Sequence, residues 1–156
     1  VNKNLRKTPG LKIFIVATVW SLLIVVFPII NFTDKLDVSF LIFFVQVLIF
    51  VIATIFPFEI RDLNSDCKQL RTIPQIIGVK NTKVLGFCLL LIFLILDCIQ
   101  YIILNFISFK SILINAAVCL TTFTLILKSK ENQSIYYSSF WVESLPILWL
   151  LLYIIL

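Results

Sequence analysis

Five long apolar runs set the pattern of the chain. Leu11–Ile30, Val38–Phe58, Val84–Leu104, Ile112–Leu127 and Phe140–Leu156 carry few charges, and polar stretches separate them. A helix needs about 20 residues to cross roughly 30 Å of hydrocarbon. The first three runs meet that length, and the last two reach it with flanking residues. The runs are continuous rather than alternating, which is not the pattern of a membrane β-barrel. The expected fold is all-α, a multi-pass transmembrane helical bundle. Its five spans are 11–30, 38–58, 84–104, 107–127 and 138–156, joined in one membrane domain over 1–156, with a polar loop at 59–83.

Composition supports lipid as the solvent. The chain is 61% hydrophobic and 13% charged, against about 45–50% and about 25% in soluble domains. The cations alternate along it. Lys3, Arg6, Lys7 and Lys12 precede or open the first span, and Lys35 stands alone after it. Arg61, Lys68, Arg71, Lys80 and Lys83 follow the second span, Lys110 the third, and Lys128 and Lys130 the fourth. One side of the membrane thus receives 11 cations and the other 2. Such an excess marks cytoplasmic loops, so the N-terminus, the 59–83 loop and the Lys128 loop are assigned to the cytoplasm. Topology accounts for the net charge of +5, and nucleic acid is not needed as a partner.

The chain has no histidine, and its four cysteines form no CxxC pair. Zinc sites and histidine-based triads are thereby poorly supported. Cys67, Cys88, Cys98 and Cys119 read as free, mostly buried thiols. The chain opens on Val1 and holds no methionine, the expectation being an N-terminally truncated part of a longer protein.

The one long polar interruption, Pro57 to Gly78, concentrates charge. It holds Glu59, Asp62 and Asp66 together with Arg61, Lys68 and Arg71. If the helix of the second span continues through it, Asp62 and Asp66 share a face and Glu59 joins them. Three carboxylates on one stripe repel and call for a cation. Magnesium takes hard oxygen ligands, typically one or two carboxylates plus substrate phosphates. Lys68 and Arg71 follow closely enough to reach phosphate oxygens. The plain alternative is a solvated loop that obeys the charge bias of the topology. Arg71-Thr72-Ile73-Pro74 reads as a short helix entry, capped by Thr72 and ended at Gly78.

Polar residues inside the spans are few. Gln46 is alone in the second. Asp97, Gln100 and Tyr101 share a face of the third, where Asp97 is either hydrated near the outer end or hydrogen-bonded between helices. Asn115, Thr121, Thr122 and Thr124 in the fourth read as packing and interhelical hydrogen bonds. Trp141 reads as an interfacial anchor, and Pro146 breaks the last span.

The run Glu59-Ile-Arg-Asp62-Leu-Asn-Ser-Asp66, followed by Arg71-Thr72-Ile73-Pro74 and Gly78, resembles the second aspartate-rich motif of the UbiA-type integral-membrane prenyltransferase superfamily. Leu5-Arg-Lys-Thr-Pro9 and Lys12, leading into a Trp-containing span, look like the middle of that family. The resemblance implies the C-terminal part of a nine-helix prenyltransferase fold. It also implies Mg2+-dependent transfer of a prenyl group from a polyprenyl diphosphate to an acceptor, often an aromatic quinone precursor, in a bacterial inner membrane. By position Asp62 and Asp66 would be the catalytic magnesium ligands, with Glu59 a further ligand or a support. Lys68, Arg71 and Arg61 would bind the diphosphate. Glu59 departs from the aspartate more usual there, and the Asp66–Thr72 segment lacks the usual glycine. The first motif, of the form NxxxDxxxD, is absent, so this stretch alone is expected to be inactive. The competing readings are a non-catalytic helical membrane protein or partner subunit, and a small transporter with Asp97 and Gln100 lining a path.

Overall fold

Every apolar run forms a helix, and the second helix is the one around which the others pack. In the computed structural model the described residues are 10–32, 37–65 and 71–156. They form α1 (Leu11–Ser21), a π turn (Leu22–Val26), α2 (Phe27–Phe32), α3 (Val38–Arg61), a 3-10 turn (Asp62–Asn64), α4 (Ile73–Ile102), α5 (Phe109–Lys128), a second π turn (Tyr137–Val142) and α6 (Leu145–Ile155). No strand occurs among the described residues.

Five helical stretches are long and apolar enough to cross a membrane: Leu11–Ile30, Val38–Asn64, Ile73–Ile102, Phe109–Lys128 and Tyr137–Ile155. Their outward faces carry Trp20, Phe27, Leu41, Ile95, Ile102, Leu150 and Ile154, all exposed. A soluble monomer rarely leaves so much contiguous apolar surface open, whereas hydrocarbon accepts it.

The α3 helix packs against α1, α4 and α5. Ile52 and Phe56 of α3 meet Ile13 and Ala17 of α1 in one buried cluster. Ile49, Phe50 and Ala53 meet Leu90 and Phe93 of α4, Val118, Cys119 and Ile126 of α5, and Leu145 of α6 in another. Close approach of α3, α4 and α5 depends on Gly86. A Cβ there would lie 3.1 Å from Ile126 Cδ1 and 3.2 Å from Phe56 Cδ2.

Proline shapes the first and last spans. Each π turn lies just ahead of a proline, Pro28 or Pro146. Proline lacks the N–H that would bond one turn back, and a wider turn is a common way for a helix to absorb that loss.

The polar stretch expected as a loop at 59–83 is mostly helical. The α3 helix runs on to Arg61, and α4 begins at Ile73 rather than near residue 84. Gln75 Oε1 accepts from the Thr72 N–H at 3.1 Å, and Pro74 sits in the first turn. The buried Thr72 Oγ1 faces the same turn without reaching full hydrogen-bond geometry. Gly78, at φ 81° and ψ 158°, then breaks the helical path within α4, as its position predicts. Lys80 and Asn81 lie on the exposed side of the continuing helix. The helix therefore begins eleven residues before the apolar run does.

Candidate functional site

Two polar clusters stand at opposite ends of the bundle. The first is the acidic motif at the end where α3 stops and α4 starts. The apolar α3 helix carries Glu59 to its last turn, where the side chain is buried at 5% exposure. Its Oε2 accepts from the Ile73 N–H at 3.2 Å. A carboxylate at a helix N-terminus meets unpaired donors and the positive end of the helix dipole. Glu59 thus fastens the start of α4 to the end of α3.

Asp62 follows as the C-cap of α3 and opens the 3-10 turn. Its side chain is one-third exposed, at 34%. The Arg61 guanidinium forks onto it, Nε to Oδ1 at 2.6 Å and Nη2 to Oδ2 at 2.9 Å. Arg61 Nη1 donates to Ser138 Oγ at 2.6 Å. Arg71 is exposed and holds a left-handed backbone, φ 47°. Asp66 and Lys68 lie outside the described residues.

The α3 helix ends at Arg61 and gives way to the 3-10 turn at Asp62–Asn64, so the expected shared face of Asp62 and Asp66 falls outside the described residues. Among the described residues no three acidic or thiol side chains gather as a metal cage. The described end of α3 offers a metal one partly exposed carboxylate, Asp62, whose two oxygens Arg61 already holds. Magnesium ordinarily takes one or two carboxylates beside water and phosphate.

The connection between α5 and α6 closes over this end. Gln133 Nε2 donates to the Pro57 carbonyl at 2.8 Å, and Asn64 Nδ2 to Glu131 at 3.2 Å. Lys83 Nζ donates to the carbonyls of Leu127 and Ser129 at 2.7 and 2.8 Å, capping the C-terminus of α5 with a cation. That is the favourable sign for the dipole. None of these partners was legible in the sequence, because each pairs segments more than forty residues apart.

The second cluster centres on Asp97, which is 1% exposed. Gln46 Nε2 donates to its Oδ1 at 2.8 Å. Asn115 Nδ2 lies 3.1 Å from Oδ1 and 3.0 Å from Oδ2. Trp149 Nε1 donates to Asn115 Oδ1 at 2.9 Å, and the Tyr153 hydroxyl approaches the same oxygen at 3.5 Å. Gln100 Nε2 donates to the Ser39 carbonyl at 3.1 Å. Asp97 is therefore bonded between helices in a packed contact rather than hydrated at the outer end. Among the described residues it faces no open path, and a transporter reading needs one.

Two smaller expectations change. Thr121, Thr122 and Thr124 donate to carbonyls of their own helix, not across helices. Of the described cysteines, Cys119 is buried, whereas Cys88 and Cys98 are exposed on the apolar surface.

Fold and site together define a class: a helical bundle with the build of an integral membrane protein, bearing a charged motif at one end. No family model, curated protein or solved structure matches the chain.

Proposed function

We propose that this chain is the part of a magnesium-dependent membrane prenyltransferase that carries the second aspartate-rich motif. Its substrate is a polyprenyl diphosphate, and its acceptor is an aromatic or lipid molecule in the bilayer. The observation that supports this reading is the carriage of Glu59, Arg61 and Asp62 on the end of an apolar span. There Glu59 meets the restart of the chain at Ile73. Charge at the edge of a hydrophobic bundle is where a phosphorylated lipid divides into head and tail.

In this reading Asp62, with Asp66, holds the magnesium, and Glu59 fixes the helix junction beside it. Bound magnesium supplies charge that stabilises the departing diphosphate. Arg61, Lys68 and Arg71 bind diphosphate oxygens through charge-assisted hydrogen bonds. The apolar helix faces hold the prenyl chain and keep water from the reacting carbon.

The test uses the protein in its native membrane, given Mg2+, a labelled polyprenyl diphosphate and aromatic acceptors. Asp62→Asn is expected to lower prenyl transfer by roughly a hundredfold or more, as loss of a preorganised electrostatic group does. Membrane insertion should stay intact. Transfer at the parent rate would remove Asp62 from the site.

A second reading, a non-catalytic membrane protein or partner subunit, is favoured by one observation. Both described acids are already engaged, Asp62 by Arg61 and Glu59 by Ile73. Absence of Mg2+-dependent transfer in the parent with every acceptor would favour it.

A further inference from the structure

Lysines from two distant segments meet at one end of the seam between α4 and α5. Lys80 and Lys83 stand three residues apart on α4, neighbours on its surface. Lys83 Nζ donates to the carbonyls of Leu127 and Ser129. That sets it beside Lys128 and Lys130, the residues that flank Ser129. Lys80, Lys128 and Lys130 are exposed. An ammonium has three donors, so Lys83 keeps one beyond its two carbonyls. The sole ion pair among the described residues is Arg61–Asp62, so none of these lysines is neutralised by a described carboxylate. Glu131, next along the chain, accepts instead from Asn64 beyond the end of α3. The charge bias of the topology accounts for lysines at this end of the bundle. It does not account for their gathering at one seam without an acid.

One turn further along, the same seam is apolar. Phe87, four residues on from Lys83, meets Phe123 of α5 with ring centroids 4.9 Å apart. Their helical neighbours Val84, Leu120 and Leu127 are exposed. A positive rim over an open apolar wall matches a molecule that joins a negative headgroup to hydrocarbon tails. Basic pockets between membrane helices take such headgroups.

We propose that the α4–α5 seam binds an anionic phospholipid, its phosphate held by Lys80, Lys83, Lys128 and Lys130 and its acyl chains laid along Phe87 and Phe123. Charge decides the occupant. A zwitterionic lipid brings a cation of its own to the lysines, and a second copy of this chain brings the same lysines. A phosphate shared between the two helices ties α4 to α5 at this end. The site uses none of the residues assigned to prenyl transfer and does not rest on that reading.

The experiment is native mass spectrometry of the detergent-solubilised full chain, titrated with dioleoyl phosphatidylglycerol or with dioleoyl phosphatidylcholine. The parent is expected to bind the anionic lipid at least about fivefold more tightly, the factor that one lysine near a membrane surface corresponds to. Lys130→Gln should lower that preference by about two- to fivefold, and Lys130→Arg, which keeps the charge, should match the parent. Replacing Lys80, Lys128 and Lys130 together by Gln should bring the two lipids level. Lys12→Gln removes an exposed cation from α1, which packs on α3, and should leave the preference unchanged. Equal affinity for the two lipids in the parent would overturn the site. So would an equal loss from Lys12→Gln and Lys130→Gln, since a diffuse field of charge then explains the preference. Displacement of phosphatidylglycerol by an equal concentration of inorganic phosphate would assign the lysines to a free anion and overturn the lipid.

Discussion

Asn115 does more than any other single side chain in the interior. Its amide donates to both oxygens of Asp97, while its own oxygen receives Trp149 and is approached by Tyr153. One residue therefore orders polar groups from α4, α5 and α6, and Gln46 brings in α3 through Asp97. In lipid an interhelical hydrogen bond averages only about 0.6 kcal/mol. Leaving buried partners unpaired costs more, about 1–3 kcal/mol. Asn115→Ala takes the acceptor from Trp149 and leaves Asp97 with Gln46 as its remaining side-chain donor. It should lower stability by about 1–3 kcal/mol in equilibrium unfolding from mixed micelles, with a shift in tryptophan emission as Trp149 loses its acceptor. A loss indistinguishable from zero would mean that water replaces the amide.

At the scale of helices, the close crossing of α3, α4 and α5 turns on Gly86. The overlap calculated for an added Cβ is a few tenths of an ångström against the ends of Ile126 and Phe56. Alanine also gains about 1 kcal/mol of helix propensity over glycine. Gly86→Ala should thus sit near break-even. Gly86→Leu has no such room, and overpacking of this kind costs about 1–3 kcal/mol. The same unfolding assay should separate the two variants clearly. Equal stability would mean that the three helices can part without loss.

At the scale of the molecule, the structure gathers the cation-rich segments at one end. Lys83 reaches Leu127 and Ser129, Arg61 reaches Ser138, and Asn64 reaches Glu131. The opposite end carries Asp37, the Ile102–Phe109 connection and Lys110. The expected orientation places the cation-rich end in the cytoplasm. In a cysteine-free background, Ser108→Cys should react with an impermeant maleimide from outside intact cells, and Gln133→Cys only after permeabilisation. The reverse result would invert the topology and put the acidic motif outside.

The sequence by itself determined the number and type of the spans, because about 20 apolar residues in lipid have few options but a helix. It also marked where charge would collect, since carboxylates and cations announce themselves by composition, and Gly78 announced its break by its freedom at positive φ. Where the helices start and stop was less legible. Polar Lys80 and Asn81 ride on a helix that the apolar pattern had not yet opened. Only the tertiary structure decided who meets whom. Gln46 with Asp97, Asn115 with Trp149 and Arg61 with Ser138 each join distant segments. Those contacts follow from how helix faces rotate and cross as they pack, a choice that no local run of residues encodes.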